Sequence, residues 1–168
     1  MDVLLDEVKS FHEAAHAVVH FHFGHELEEV SSAGYCKLAD WECEVDRSDV
    51  ADLIENEIRL QKLIAYCAGE ATHAHFFGRN WENASWRRSH DYRQALKHAL
   101  ALSGQDLEAA ELLVKWGQRI ASVLVAGLWD DIHKVAFKLL EVDKLNHDEV
   151  NTILEEGRRA RNREPARA

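Results

Sequence analysis

The chain has 168 residues, 46% apolar and 30% charged, with a formal net charge of -10. That length suits one domain with its own core, and that mix excludes a disordered or collagen-like chain. The acid excess argues against a nucleic-acid partner, and the single proline and few glycines favour long helices over a turn-rich β fold.

Apolar residues Val3, Leu4, Val8, Phe11, Ala15, Val18 and Val19 recur at helical spacing and predict a first helix to about Phe23, stopped by Gly24. Loose alternation over residues 29–34 and from Cys36 to Val45, around Gly34, predicts a short β-hairpin. Asp46 or Ser48 can cap a second helix running from Val50 to Phe77 and ended by Gly78. Arg79 to Arg88 reads as a loop, and Ser89 as the N-cap of a third helix to about Leu102. After Ser103-Gly104, a helical region from Asp106 to about Val142 carries the stripe Leu113, Trp116, Ile120, Val123, Leu124, Leu128, Ile132, Val135 and Leu139, with Gly127 placed to bend or divide it. Asn146 and Glu149 form a capping box opening a last helix through Leu154. The expected fold is an all-α bundle with one small β-hairpin inserted after the first helix.

Residues 1–156 read as a single domain. Residues 157–168 read as a basic, disordered tail carrying Arg158, Arg159, Arg161, Arg163 and Arg167. Cys36, Cys43 and Cys67 make no even disulfide framework, so free thiols in a reducing compartment are expected. A Cys36–Cys43 bond across the hairpin is the alternative. With no signal-peptide pattern and no apolar run long enough to span a bilayer, the reading is cytoplasmic, without a membrane span.

The chemistry concentrates in His12-Glu13-Ala14-Ala15-His16. Two histidines four apart on a helix share one face, one turn apart, where both imidazoles can reach one tetrahedral ion. A glutamate after the first histidine can reach water at the ion's open position and act as base. Histidine and glutamate are abundant in this chain, so the pattern alone does not decide; its setting among Ala14, Ala15, Val18 and Val19 sharpens it. Polar side chains buried beside such residues need a partner, and a metal supplies one. His20, His22 and His25 read as a partly exposed helix end, because three successive turns span about 11 Å, too far for one ion. A third ligand therefore comes from elsewhere. Glu70, His73, His75, His90 and Asp91 are the candidates, and spacing does not choose among them. Trp41, Trp81 and Trp86 read as anchors holding loops down, or as lining of a cleft.

Four stretches in order resemble the peptidase domain of the FtsH-type, membrane-anchored, ATP-dependent zinc proteases. Residues 12–19 look like that family's zinc helix. Ala68-Gly69-Glu70-Ala71-Thr72-His73 through Gly78 looks like its second-helix segment, and Ser89-His90-Asp91-Tyr92-Arg93-Gln94-Ala95 like its aspartate-bearing segment. Leu139 through Leu154 is similar to its C-terminal helical pair. The resemblance implies a zinc metallopeptidase with His12, His16 and Asp91 as ligands and Glu13 as general base. It also implies that the hairpin region holds substrate, where an exposed strand edge can pair with an extended peptide or unfolded protein.

Two departures stand out: His73 occupies the family's acidic position, and Ala15 replaces its glycine. No G-x-x-x-x-G-K-[ST] phosphate loop occurs. The expectation is thus a stand-alone, ATP-independent peptidase, working as a homo-oligomer or fed by a separate unfoldase. Two other readings compete. One is a non-catalytic, zinc-containing binding or regulatory module on the same fold; an intact Glu13 argues against it, because a structural site has no use for a base. The other is a different H-E-x-x-H peptidase with Glu70 as third ligand.

Overall fold

A computed structural model describes residues 2–39, 49–77 and 86–163. The described chain is mainly helical with one small antiparallel sheet, as the residue pattern predicts. In order it runs α1 (Asp2–His22), β1 (Leu27–Ser31), β2 (Tyr35–Leu38), α2 (Asp49–Phe77), a single 3-10 turn (Trp86–Arg88), α3 (His90–Leu102), α4 (Leu107–Gly127), α5 (Trp129–Val142), β3 (Lys144–Leu145) and α6 (His147–Arg163). No helix among the described residues is long and apolar enough to cross a membrane.

Helix α1 is the central element. It lies against α2, α5 and β1, while α2 packs on α3 and α4. From Ser10 to His20 only His12 escapes full burial, which is the expected condition of a helix apolar on most of its faces. Ala14, Ala15 and Ala17 are completely covered, and their small side chains bring neighbouring helices close to the histidines of the same turns. Leu63, Val125, Ile132, Val135 and Leu139 complete the centre of the core.

The ends of α1 follow local rules. Gly24 adopts φ +78°, the left-handed region that glycine enters without cost. The His25 amide closes back to the His20 carbonyl at 3.0 Å, and that of Gly24 to Phe21 at 3.0 Å. The chain thereby reverses into β1 over a helix end whose carbonyls are satisfied.

The hairpin forms with bounds that differ from the expected ones. Strand β1 begins two residues earlier, and the second strand covers Tyr35–Leu38; the expected continuation from residue 40 to Val45 lies outside the described residues. Pairing places Val30 opposite Cys36 and Ser31 opposite Tyr35, with a bulge between Leu27 and Glu29. Strand β3, which the sequence reading does not contain, adds to the other side of β1 through Val30–Leu145 and Ser31–Lys144 pairs, giving the order β2-β1-β3. Trp41, Cys43, the candidate caps Asp46 and Ser48, Gly78 and Trp81 lie outside the described residues. Cys36 and Cys67 are free thiols.

The long helical region divides where Gly127 stands: α4 ends there, Leu128 is the joint, and α5 starts at Trp129. The capping box forms in full, with the Asn146 amide donating to Glu149 at 2.8 Å and the Glu149 amide to the Asn146 side chain at 3.1 Å. Helix α6 does not end near Leu154, however. It continues to Arg163, so the basic segment read as a disordered tail is helical up to that residue. Gly157 explains the difference. It is buried, and a Cβ there would lie 2.4 Å from Lys134 Nζ and 3.4 Å from Asp131 Oδ1. The glycine serves the close approach of α6 to α5, not a helix stop.

Candidate metal centre

The middle of α1 and the first turn of α3 meet beside α2. Ser89 caps α3, its hydroxyl accepting from the Tyr92 amide at 3.0 Å. Asp91 is thereby fixed in the first turn, where the helix dipole favours an ionised carboxylate. Its Oδ2 lies 3.0 Å from His12 Nε2 and 3.5 Å from His16 Nε2, and the two imidazole nitrogens are 3.0 Å apart. Among the described residues, His12, His16 and Asp91 form the one group of three metal-binding side chains whose ligand atoms all lie within 4.8 Å of one another.

These separations can be tested against an ion. A tetrahedral site with bonds of about 2.05 Å has donor–donor edges of about 3.3–3.4 Å. The observed edges of 3.0, 3.0 and 3.5 Å bracket that value. Two imidazoles and one carboxylate suit zinc better than the oxygen-seeking calcium or magnesium. The residues present therefore fit a zinc-type ion with one coordination position left over.

His16 is held from behind. Its Nδ1 lies 2.8 Å from the Ala65 carbonyl of α2. A carbonyl only accepts, so Nδ1 carries the hydrogen and Nε2 is the atom left for an ion. Gly69, one turn further along α2, closes the other side. A Cβ at this position would stand 2.4 Å from His12 Cε1 and Nε2 and 2.6 Å from His16 Nε2. The α2 backbone thus runs directly against the ligand face, as only glycine permits.

The electrostatics follow from enclosure. Burial pushes the His12 imidazole below its ordinary value, only partly offset by the hydrogen bond to Asp91. Burial alone would also lower His16, but the hydrogen bond and charge of Asp91, helped by Glu13 and the Ala65 carbonyl, carry it up to about 9. Burial would raise Asp91; the hydrogen bonds and charges of the two histidines instead hold it well below the usual carboxylate range. Glu13, only 7% exposed, is pushed by burial up to about 7, with His16 opposing and Asp91 adding to the rise. Such a value suits a group that exchanges protons near neutrality.

The other candidate ligands go elsewhere. Glu70 lies 3.4 Å from His73 Nδ1. His75 tilts over the Trp129 ring at 4.3 Å, and His90 is exposed. His20 is not part of an exposed helix end as expected: it is 3% exposed, with Nδ1 2.8 Å from that of His25, whose Nε2 is 3.0 Å from Gln61 Oε1. His22 alone of that run is exposed. Trp86 is buried, edge-on to Tyr92, and anchors the entry to α3.

Sequence reasoning gave no role to the Ala65 carbonyl or to Gly69. The carbonyl leaves no trace in residue type. A lone glycine inside a strongly helical stretch was the available signal, since it commonly marks a close approach.

Comparison with protein-family models and with curated proteins finds no match.

Proposed function

We propose that the chain is a zinc-dependent, ATP-independent metallopeptidase that hydrolyses peptide bonds in unfolded proteins or peptides. The observation that carries this reading is the convergence of three ligand atoms from α1 and α3, with a buried glutamate next to the first histidine in the chain. His12, His16 and Asp91 would hold the ion. When bound, it supplies Lewis acidity toward a peptide carbonyl and toward water.

Glu13 then works as general base and acid. It takes one proton as the water oxygen bonds to the carbonyl carbon. It returns that proton to the amide nitrogen as the C–N bond breaks. Burial favours this role, because a carboxyl kept near neutrality holds a proton long enough to deliver it. Strand β2 is one of the two outer strands of the described sheet, β3 being the other. The outer edge of β2, unpaired among the described residues, suits an extended peptide bound through backbone hydrogen bonds, a mode with little sequence selectivity. The ordered resemblance to FtsH-type peptidase domains supports the same assignment of residues.

The test uses the purified full chain, zinc-loaded, with casein as an unfolded substrate. Wild type is expected to cleave, and Glu13→Gln to retain zinc and lose at least a hundredfold in rate, the scale of a general base. Zinc binding without cleavage of any unfolded substrate would favour a non-catalytic binding module. Equal activity in Glu13→Gln would remove the glutamate from the mechanism.

A further inference from the structure

Among the described residues, His16 has a hydrogen-bond partner for its rear nitrogen and His12 has none: His12 Nδ1 is buried and makes no hydrogen bond to any of them. One other ring nitrogen close by shares that condition. His73 Nε2 is also buried without a partner among the described residues, and the two rings lie 5.0 Å apart between centroids, tilted by 49°. Two adjacent buried orphans are costly separately and complementary together, since one imidazole nitrogen can donate to another. On its far side His73 turns Nδ1 toward Glu70 Oε2, at 3.4 Å.

We propose that His73, itself oriented by Glu70, is the positioning residue for His12, accepting the His12 Nδ1 hydrogen on its Nε2 when the metal is bound. The inference rests on the His12–His16–Asp91 metal reading. The polarity is fixed from both ends. A His12 that offers Nε2 to an ion must keep its hydrogen on Nδ1, and that hydrogen needs an acceptor. A carboxylate accepts only, so Glu70 draws the His73 hydrogen to Nδ1 and leaves Nε2 with a free lone pair. The chain of donors then runs one way, from His12 Nδ1 to His73 Nε2 and from His73 Nδ1 to Glu70 Oε2. The three residues occupy one turn of α1 and consecutive positions of one α2 face, spaced i and i+3, so the fold sets the relay without any loop.

The two rear supports differ in kind. His16 leans on a helix carbonyl that cannot move independently of α2. His12 leans on a side-chain pair, with side-chain exposures of 27% for His73 and 14% for Glu70. Removing that pair should weaken the metal without touching a ligand. Partners in this position typically contribute 10–100-fold to metal affinity.

Zinc affinity is measured by competition with a chromophoric chelator for wild type, His73→Phe and His73→Glu. His73→Phe is expected to bind about 10–100-fold more weakly. His73→Glu, whose carboxylate can accept the His12 hydrogen directly, is expected to recover most of that loss, a rescue that a packing role would not give. Independently of any variant, imidazole nitrogen NMR of zinc-loaded wild type should show His73 as the neutral tautomer with its hydrogen on Nδ1. His73 carrying a hydrogen on Nε2, or a His73→Phe affinity equal to wild type, would overturn the proposal. Wild type that binds no zinc would instead remove the metal reading beneath it.

Discussion

Gly69→Ala is the sharpest perturbation the structure offers, because it adds one methyl group and alters no ligand. The added Cβ would lie 2.4 Å from two atoms of the His12 ring and 2.6 Å from His16 Nε2. Ordinary carbon–nitrogen contact needs about 3.4–3.5 Å, so the rings must retreat by about 1 Å. His16 cannot retreat freely, being tied at 2.8 Å to the Ala65 carbonyl of the same helix. Metal bond lengths tolerate only about 0.2 Å, so zinc affinity should fall by at least about a hundredfold. Effects on the fold partly offset one another. Alanine is favoured over glycine in a helix by about 1 kcal/mol, whereas overpacking costs about 1–3 kcal/mol. The metal-free variant should therefore lose no more than about 2 kcal/mol, about 4–8 °C in Tm for a chain of this size. Chelator competition and thermal unfolding of the metal-free protein separate the two effects. A Gly69→Ala variant that binds zinc as wild type does would refute the close approach of α2 to the ligand face.

Two further outcomes follow from the same structure. Burial, together with the charges of Lys62, Arg59 and Lys97, lowers His98 to about 4, and its Nδ1 is buried without a partner among the described residues. A histidine with a depressed folded pKa contributes stability above its unfolded value, about 6.5, that is lost as pH falls toward 4. The stability difference between wild type and His98→Gln, from urea unfolding, should thus shift against wild type from pH 6.5 downward; a pH-independent difference would contradict this. Ser89→Ala removes the cap of α3 and should cost about 1 kcal/mol in urea unfolding. It should also weaken zinc binding, since Asp91 sits two residues beyond the cap; unchanged affinity would show that Asp91 is fixed by something else.

The parts of this molecule legible in its residues are those set by local rules. The extents of α1, α2 and α3, the Ser89 cap, the Asn146–Glu149 box and the break at Gly127 all depend on neighbours a few positions away. The two histidines of α1 were legible as a pair for the same reason. The proposed third ligand was not, because α1 and α3 meet only through tertiary packing; the ordered resemblance, not the spacing, singled out Asp91. The buried face of α4 was misread, since Ala110, Val114, Gly117, Ala121 and Val125 are buried while Trp116 and Val123 of the expected stripe are exposed. Strand β3 is two residues long, too short to carry any alternation, and exists because β1 offers it an edge. The length of α6 was misread because the arginine-rich stretch from residue 157 reads as a solvated tail, and only the position of Lys134 on α5 shows that Gly157 is a packed contact. His20 was misread for a related reason: it continues the i, i+4 series along α1 but is buried against His25, which Gln61 of α2 holds in turn.

Anomalous diffraction at the zinc absorption edge, from crystals of the full chain loaded with one equivalent of zinc, tests the metal centre most directly. The expected result is one peak about 2.0–2.2 Å from His12 Nε2, His16 Nε2 and an Asp91 carboxylate oxygen. A peak at the His20–His25 pair, or no ordered peak at all, would contradict it.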